Sequence, residues 1–183
     1  MATEDDLRRE IEALRDELER LRTTLAVVGP VDIESGTLNR TGILDALERG
    51  RHWLIRRGDV YGLVVVWFPE LAEHLRSGTD AVEFRTHVTA TLGAAVREVD
   101  SVGSVADDAF AAVLADLNAG ALPVVVNRIQ GLVTRLIKND AETGRAAIGA
   151  VEILSPRSSG TVLETGLDLA KQAGAEPVLQ QLE

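Results

Sequence analysis

Residues 60–68, Val-Tyr-Gly-Leu-Val-Val-Val-Trp-Phe, are apolar almost without a break. The run is rich in β-branched residues, shows no polar alternation and is closed by Pro69. It predicts a strand buried on both faces. The rest of the body is organised around it. Residues 41–57 place Ile43, Leu44, Leu47, Trp53 and Leu54 at helical spacing, and Gly58-Asp59 ends that segment. Val31–Arg40 before it is a polar loop. Pro69 can open a short helix through Arg76, Ser77–Asp80 is a loop, and 81–98 is a helix with Phe84, Val88, Leu92 and Val96 on one stripe. Two short apolar segments, Ser101–Val105 and Ala109–Ala115, flank Ala106-Asp107-Asp108, a hairpin with a tight acidic turn. A helix over 123–138, a strand over 146–154 and a helix over 161–172 follow, with Val178-Leu179 as a short edge strand. From residue 60 the order is strand, helix, strand, strand, helix, strand. That is the split pattern of an α+β, ferredoxin-like antiparallel sheet (a βαββαβ core) with helices on one face. The fold hosts many functions and selects none.

Composition narrows the functions. The chain has 183 residues, 29 acidic and 19 basic, for a net charge of −10. A surface built to hold nucleic acid needs surplus Lys and Arg. There is no Cys, which excludes a disulfide framework, a thiolate metal site and a Cys nucleophile. The three His, at 52, 74 and 87, fall into no ligand spacing. No apolar run is long enough for a membrane span, and the charged N-terminus is not a signal peptide. These features predict a cytoplasmic protein with no nucleic-acid partner and no cofactor.

Residues 1–29 form a separate unit. Leu7, Leu14, Leu21 and Val28 fall at heptad position d, and Ile11, Leu18 and Leu25 at a. Position e is Arg8, Arg15 and Arg22; position g is Glu10 and Glu17. A parallel pair sets Glu10 against Arg15 and Glu17 against Arg22, whereas an antiparallel pair sets like charges together. Each exposed pair contributes only about 0.3–0.5 kcal/mol. The narrow seam and these flanks predict a parallel homodimeric coiled coil rather than an amphipathic helix lying on its own domain. Gly29-Pro30 ends it, and 30–183 is the second domain.

Four segments of that domain resemble, in order, the landmarks of the GGDEF family, the bacterial diguanylate cyclases. They are Asp32-Ile-Glu-Ser-Gly36-Thr-Leu-Asn39-Arg40, the hairpin Asp100–Leu114, Ala147-Ile148-Gly149-Ala150 and Leu169-Ala170-Lys171-Gln-Ala-Gly174. The resemblance covers roughly 31–179. It implies a domain in which two GTP-loaded protomers face each other and a ribose hydroxyl attacks an α-phosphate with metal help.

The departures from the family pattern point away from turnover. The family's Gly-Gly-Asp/Glu-Glu-Phe tip is here Ala106-Asp107-Asp108-Ala109-Phe110. Trp67 stands where the resemblance places a metal-binding Asp, and an indole cannot ligate a hard cation. Glu70 lies beyond the turn. Ala109 replaces the catalytic Glu, and Asp108 alone is a poor divalent site. Ala106 and Asp107 replace the glycines that let phosphates approach the backbone. The guanine-reading position falls near Val82 and a late Arg at Ala175, which leaves Lys171 of the phosphate contacts.

One motif is retained. Arg97-Glu-Val-Asp100 matches the family's Arg-x-x-Asp inhibitory site for cyclic di-GMP, in which a guanidinium and a carboxylate read guanine edges. Two residues three apart at a helix end also form an ordinary ion pair, and Arg56-Arg-Gly-Asp59 repeats the pattern. Ser104 sits where a further Arg is often found. Arg49, Arg51, Arg56 and Arg57 around His52 and Trp53 read as a solvated helix face, with an acidic partner as the alternative. Asp107 and Asp108 are expected to serve their turn by bonding backbone groups. The resemblance and its gaps imply a catalytically inactive dimeric interaction or scaffold module in bacterial signalling, with a possible protein partner. The alternative is a cyclic di-GMP receptor acting through Arg97 and Asp100; an active diguanylate cyclase is the remote third.

Overall fold

The computed structural model describes residues 10–11, 14–15, 29–32, 35–71, 79–118, 120–139 and 144–183. The apolar run becomes β1 (Tyr61–Trp67) at the centre of a five-stranded sheet. It is preceded by α1 (Arg40–Arg57) and followed by α2 (Thr79–Ala95), β2 (Ser101–Ala106), β3 (Ala109–Leu114), α3 (Ala121–Asn139), β4 (Ala147–Ile153), α4 (Ser159–Gln172) and β5 (Val178–Leu182). The sheet order is β2-β3-β1-β4-β5. β1 runs antiparallel to β3 and β4, and β5 runs parallel to β4. The βαββαβ frame is therefore as expected, with a fifth strand at one edge.

Helices cover both faces of the sheet. Val64, Val66 and Phe68 turn toward α2 and α3, where Phe84, Val88, Leu92, Val126 and Ile129 complete one core. Leu63 and Val65 turn the other way, toward Ile43 and Leu47 of α1 and Val162 and Leu163 of α4. The two helices inside the βαββαβ frame do share one face. α1 and α4 lie outside that frame and close the other, which is what lets β1 be apolar at every position. Phe68, Phe84 and Phe110, all the phenylalanines of the chain, meet edge to face at 5.4–6.3 Å.

Local boundaries differ in ways the chemistry explains. The loop before α1 is shorter than expected and partly paired: Val31 bridges Leu38, and Asn39 caps α1 by accepting from the Gly42 amide at 3.1 Å. α2 begins at Thr79, inside the expected 77–80 loop. The helix expected to run through Arg76 lies, beyond Leu71, outside the described residues. The same holds for most of the heptad seam: Leu7, Leu18, Leu21, Leu25 and Val28 are not among the described residues. Ile11 and Leu14 are described; both are helical and exposed. Among the described residues no helix is long and apolar enough to cross a membrane.

Tyr61, the only tyrosine, is 1% exposed and lies against Gly50, where an added Cβ would fall 2.7 Å from Tyr61 Cδ2. Its hydroxyl has no hydrogen-bond partner among the described residues, and burial pushes its pKa up to about 12. In an unfolded chain the phenol titrates near 10. The folded state thus holds this proton more tightly. The linked stability is intact below pH ~10 and falls by about 3 kcal/mol as pH rises through 12. An absorbance titration of phenolate should show ionisation delayed until unfolding; a reversible midpoint near pH 10 in the folded protein would contradict it.

Candidate functional site

The candidate site sits where the end of β1 meets the turn of the β2–β3 hairpin. Trp67 is the last residue of β1, with Ala109 of β3 directly across on one side and Ala147 of β4 on the other. Two alanines as cross-strand neighbours leave the indole space above the sheet. It is half-buried and packs against the α1–α4 core. Its Nε1–H donates to Asp108 Oδ2 at 2.9 Å, and the Phe68 amide donates to the Asp108 carbonyl at 2.9 Å. Trp67, which stands where the resemblance places a metal-binding Asp, is thus bonded to Asp108. Ala109 is buried and offers a methyl group where a carboxylate was sought.

Asp107, the other acid of the turn, is engaged from the opposite direction. Arg85 of α2 places its Nη2 at 3.5 Å from Asp107 Oδ1. Arg85 was not singled out from sequence. Its signal was its place one helical turn after Val82, the position that the resemblance singles out. The expected backbone bonding by both aspartates gives way to these side-chain partners, because the turn is flanked by an indole donor and a guanidinium. Glu70 is turned toward Arg145, with Oε1 at 3.7 Å from Nε. Lys171 and Ala175 are exposed. Ala175 carries no side-chain charge, and its carbonyl accepts from Gln130 Nε2 at 3.1 Å. Among the described residues no three His, Asp or Glu side chains gather into a cation cage. The donor set at 67, 108 and 109 does not fit a divalent cation.

Arg97 and Asp100 do come together, but mainly with the backbone. Asp100 is 2% exposed at its side chain. Its Oδ2 accepts from the Arg97 amide at 2.7 Å and its Oδ1 from the Ala115 amide at 3.0 Å. The Arg97 guanidinium donates to the Ala115 carbonyl and lies 3.5 Å from Asp100 Oδ1. The motif thus staples the α2–β2 turn to the end of β3. Ser104 amide donates to the Leu38 carbonyl at 2.8 Å, holding the segment before α1 against β2. At the end of α1, Arg51 pairs with Glu48 at 2.5 Å and Arg57 with Asp59 at 2.5 Å, with His52 3.6 Å from Glu48. The Arg51 hydrogen bond holds the Glu48 carboxyl below its usual pKa. Arg57 also stacks over Trp53 at 5.4 Å. Two of the four arginines are thus paired with neighbouring acids, and Arg49 and Arg56 are exposed.

No family model matches the sequence, and no curated protein does. Solved structures do match. The coiled coil and GGDEF domain of DgcB from Caulobacter crescentus, in complex with c-di-GMP, aligns over 96% of this chain and 96% of that one, at 16% identity and a TM-score of 0.68. The diguanylate cyclase SiaD from Pseudomonas aeruginosa, in complex with its activator SiaC, aligns over 96% of this chain and 71% of that one, at 18% identity and a TM-score of 0.66. The FimX GGDEF domain from Pseudomonas aeruginosa aligns over 84% of this chain and 100% of that one, at 19% identity and a TM-score of 0.60. Sheet order, the two helical layers and these likenesses agree, and the chain has the fold of a GGDEF domain.

Proposed function

We propose that this protein is a catalytically inactive GGDEF-fold module that acts in cyclic di-GMP signalling as a dimeric interaction or scaffold protein. The observation that carries the reading is the Trp67–Asp108 hydrogen bond. Phosphoryl transfer between two nucleotides needs carboxylates to hold cations and a group to take the hydroxyl proton. Here the retained carboxylate is occupied by an indole N–H, and its neighbour Ala109 has nothing to offer a metal or a proton. Incubation with GTP and Mg²⁺ is expected to yield no cyclic di-GMP by chromatography. Product formation that depends on the protein would overturn the reading.

The dimer is the second element of this reading. It rests on the heptad seam and its Glu–Arg flanks. In light scattering the whole chain is expected to run as a dimer and a chain beginning at Val31 as a monomer. The same number of chains per particle for the two would remove the coiled coil as the dimerising unit. The receptor reading through Arg97 and Asp100 has less support, because the groups that would face guanine already bond the Ala115 and Arg97 backbone. Calorimetry with cyclic di-GMP separates it: micromolar binding lost in Arg97→Ala would favour the receptor.

A further inference from the structure

At the edge of the sheet away from the hairpin, β5 is bonded on one side only. The Leu154 amide donates to the Leu182 carbonyl at 2.9 Å, so Leu182 turns its backbone groups inward. By the two-residue repeat of a strand, Leu179 and Gln181 turn theirs outward. Nothing among the described residues pairs with that outer edge, and Leu179 is 41% exposed. Edge strands are usually guarded by Lys, Pro, a bulge or a covering element. Val-Leu-Gln-Gln-Leu carries neither charge nor proline.

A depression of about 360 Å³ opens beside this edge, between β5 and the start of α3, lined by Leu122, Pro123, Glu152, Leu179 and Gln181. Glu152 is only 7% exposed. Its Oε2 accepts from Gln181 Nε2 at 2.5 Å, and no Lys, Arg or His pairs with it among the described residues. A buried carboxylate held by a neutral amide is costly to keep, and a cation would complete it.

We propose that this edge is a docking site for an extended basic peptide segment of a partner protein. The segment adds as a strand to the outer edge of β5, and one Arg or Lys side chain enters the depression to pair with Glu152. The net charge of −10 draws a basic partner toward it. A second copy of β5 would bring the same hydrogen-bonding edge but no cation. The inference goes beyond the scaffold reading and stands whether or not the hairpin turns over nucleotide.

The probe is the capped peptide Thr-Val-Arg-Val-Thr, with Thr-Val-Glu-Val-Thr as its counterpart, each titrated into the full chain. Calorimetry should show binding of the Arg peptide alone, weakened at least tenfold in Glu152→Gln. Amide exchange on the wild-type protein should show new protection at Leu179 and Gln181, a readout that does not depend on any variant folding. No binding at millimolar Arg peptide, equal binding to Glu152→Gln, or binding without protection of those amides would overturn the site. Protection that rises with protein concentration in the absence of peptide would identify a second copy as the occupant and overturn it as well.

Discussion

Gly149→Ala is expected to destabilise the domain by about 3 kcal/mol, at the upper end of what overpacking a core costs. A Cβ at Gly149 would lie 2.3 Å from the Ala170 nitrogen, 2.6 Å from the Gly166 oxygen and 2.8 Å from the Leu169 carbonyl carbon. All three are main-chain atoms of α4, so no side chain can swing away. Either the helix lifts off β4, or the strand bends. Lifting the helix would open the core that Val162, Leu163 and Ala170 close against Leu63 and Val65. Gly160, near the start of the same helix, has nothing within 4 Å of an added Cβ. Gly160→Ala should therefore be neutral, or stabilising by up to about 1 kcal/mol through the unfolded chain. Urea denaturation of both variants checks this. A Gly149→Ala protein within ~0.5 kcal/mol of wild type would show that α4 and β4 are not in backbone contact.

Asp100→Ala is expected to lower stability by about 3 kcal/mol, while Arg97→Ala loses less than about 1 kcal/mol. The asymmetry follows from burial. The Asp100 carboxylate is 2% exposed and satisfies two backbone amides, so its removal leaves both donors without their partner. The Arg97 guanidinium is 51% exposed, and water can replace most of what it does. A pair that existed only to hold a ligand would show neither loss in the free protein. Equal destabilisation by the two substitutions, or none by Asp100→Ala, would rule out the staple.

Much of this structure was legible in advance because it follows from short-range chemistry. The strand at 61–67 has no polar residue to point outward, so it had to be central. The hairpin at 101–114 announces itself by two apolar segments around an acidic turn. That positions 67 and 109 carry no carboxylate could be read directly, because that needs no coordinates. Other features were not legible. The side of the sheet taken by the two helices outside the βαββαβ frame is one of them, since periodicity gives a helix its apolar stripe but not the side of the sheet that receives it. The bond from Trp67 to Asp108 joins residues 41 apart in sequence. The Arg85–Asp107 contact spans 22 positions and has no local pattern. Glu152 was passed over as one acid in an apolar strand, Ala-Ile-Gly-Ala-Val-Glu-Ile.

By itself, the order of residues determined the element sequence and the strand buried on both faces, because each depends on residue type and near neighbours. Only the tertiary structure decided which partners those residues found. It turned the indole at 67 onto the last carboxylate of the turn and spent Asp100 on backbone amides. It also left β5 open beside a buried Glu152. These outcomes depend on which elements the sheet brings side by side, and side-chain spacing along the chain carries no record of that.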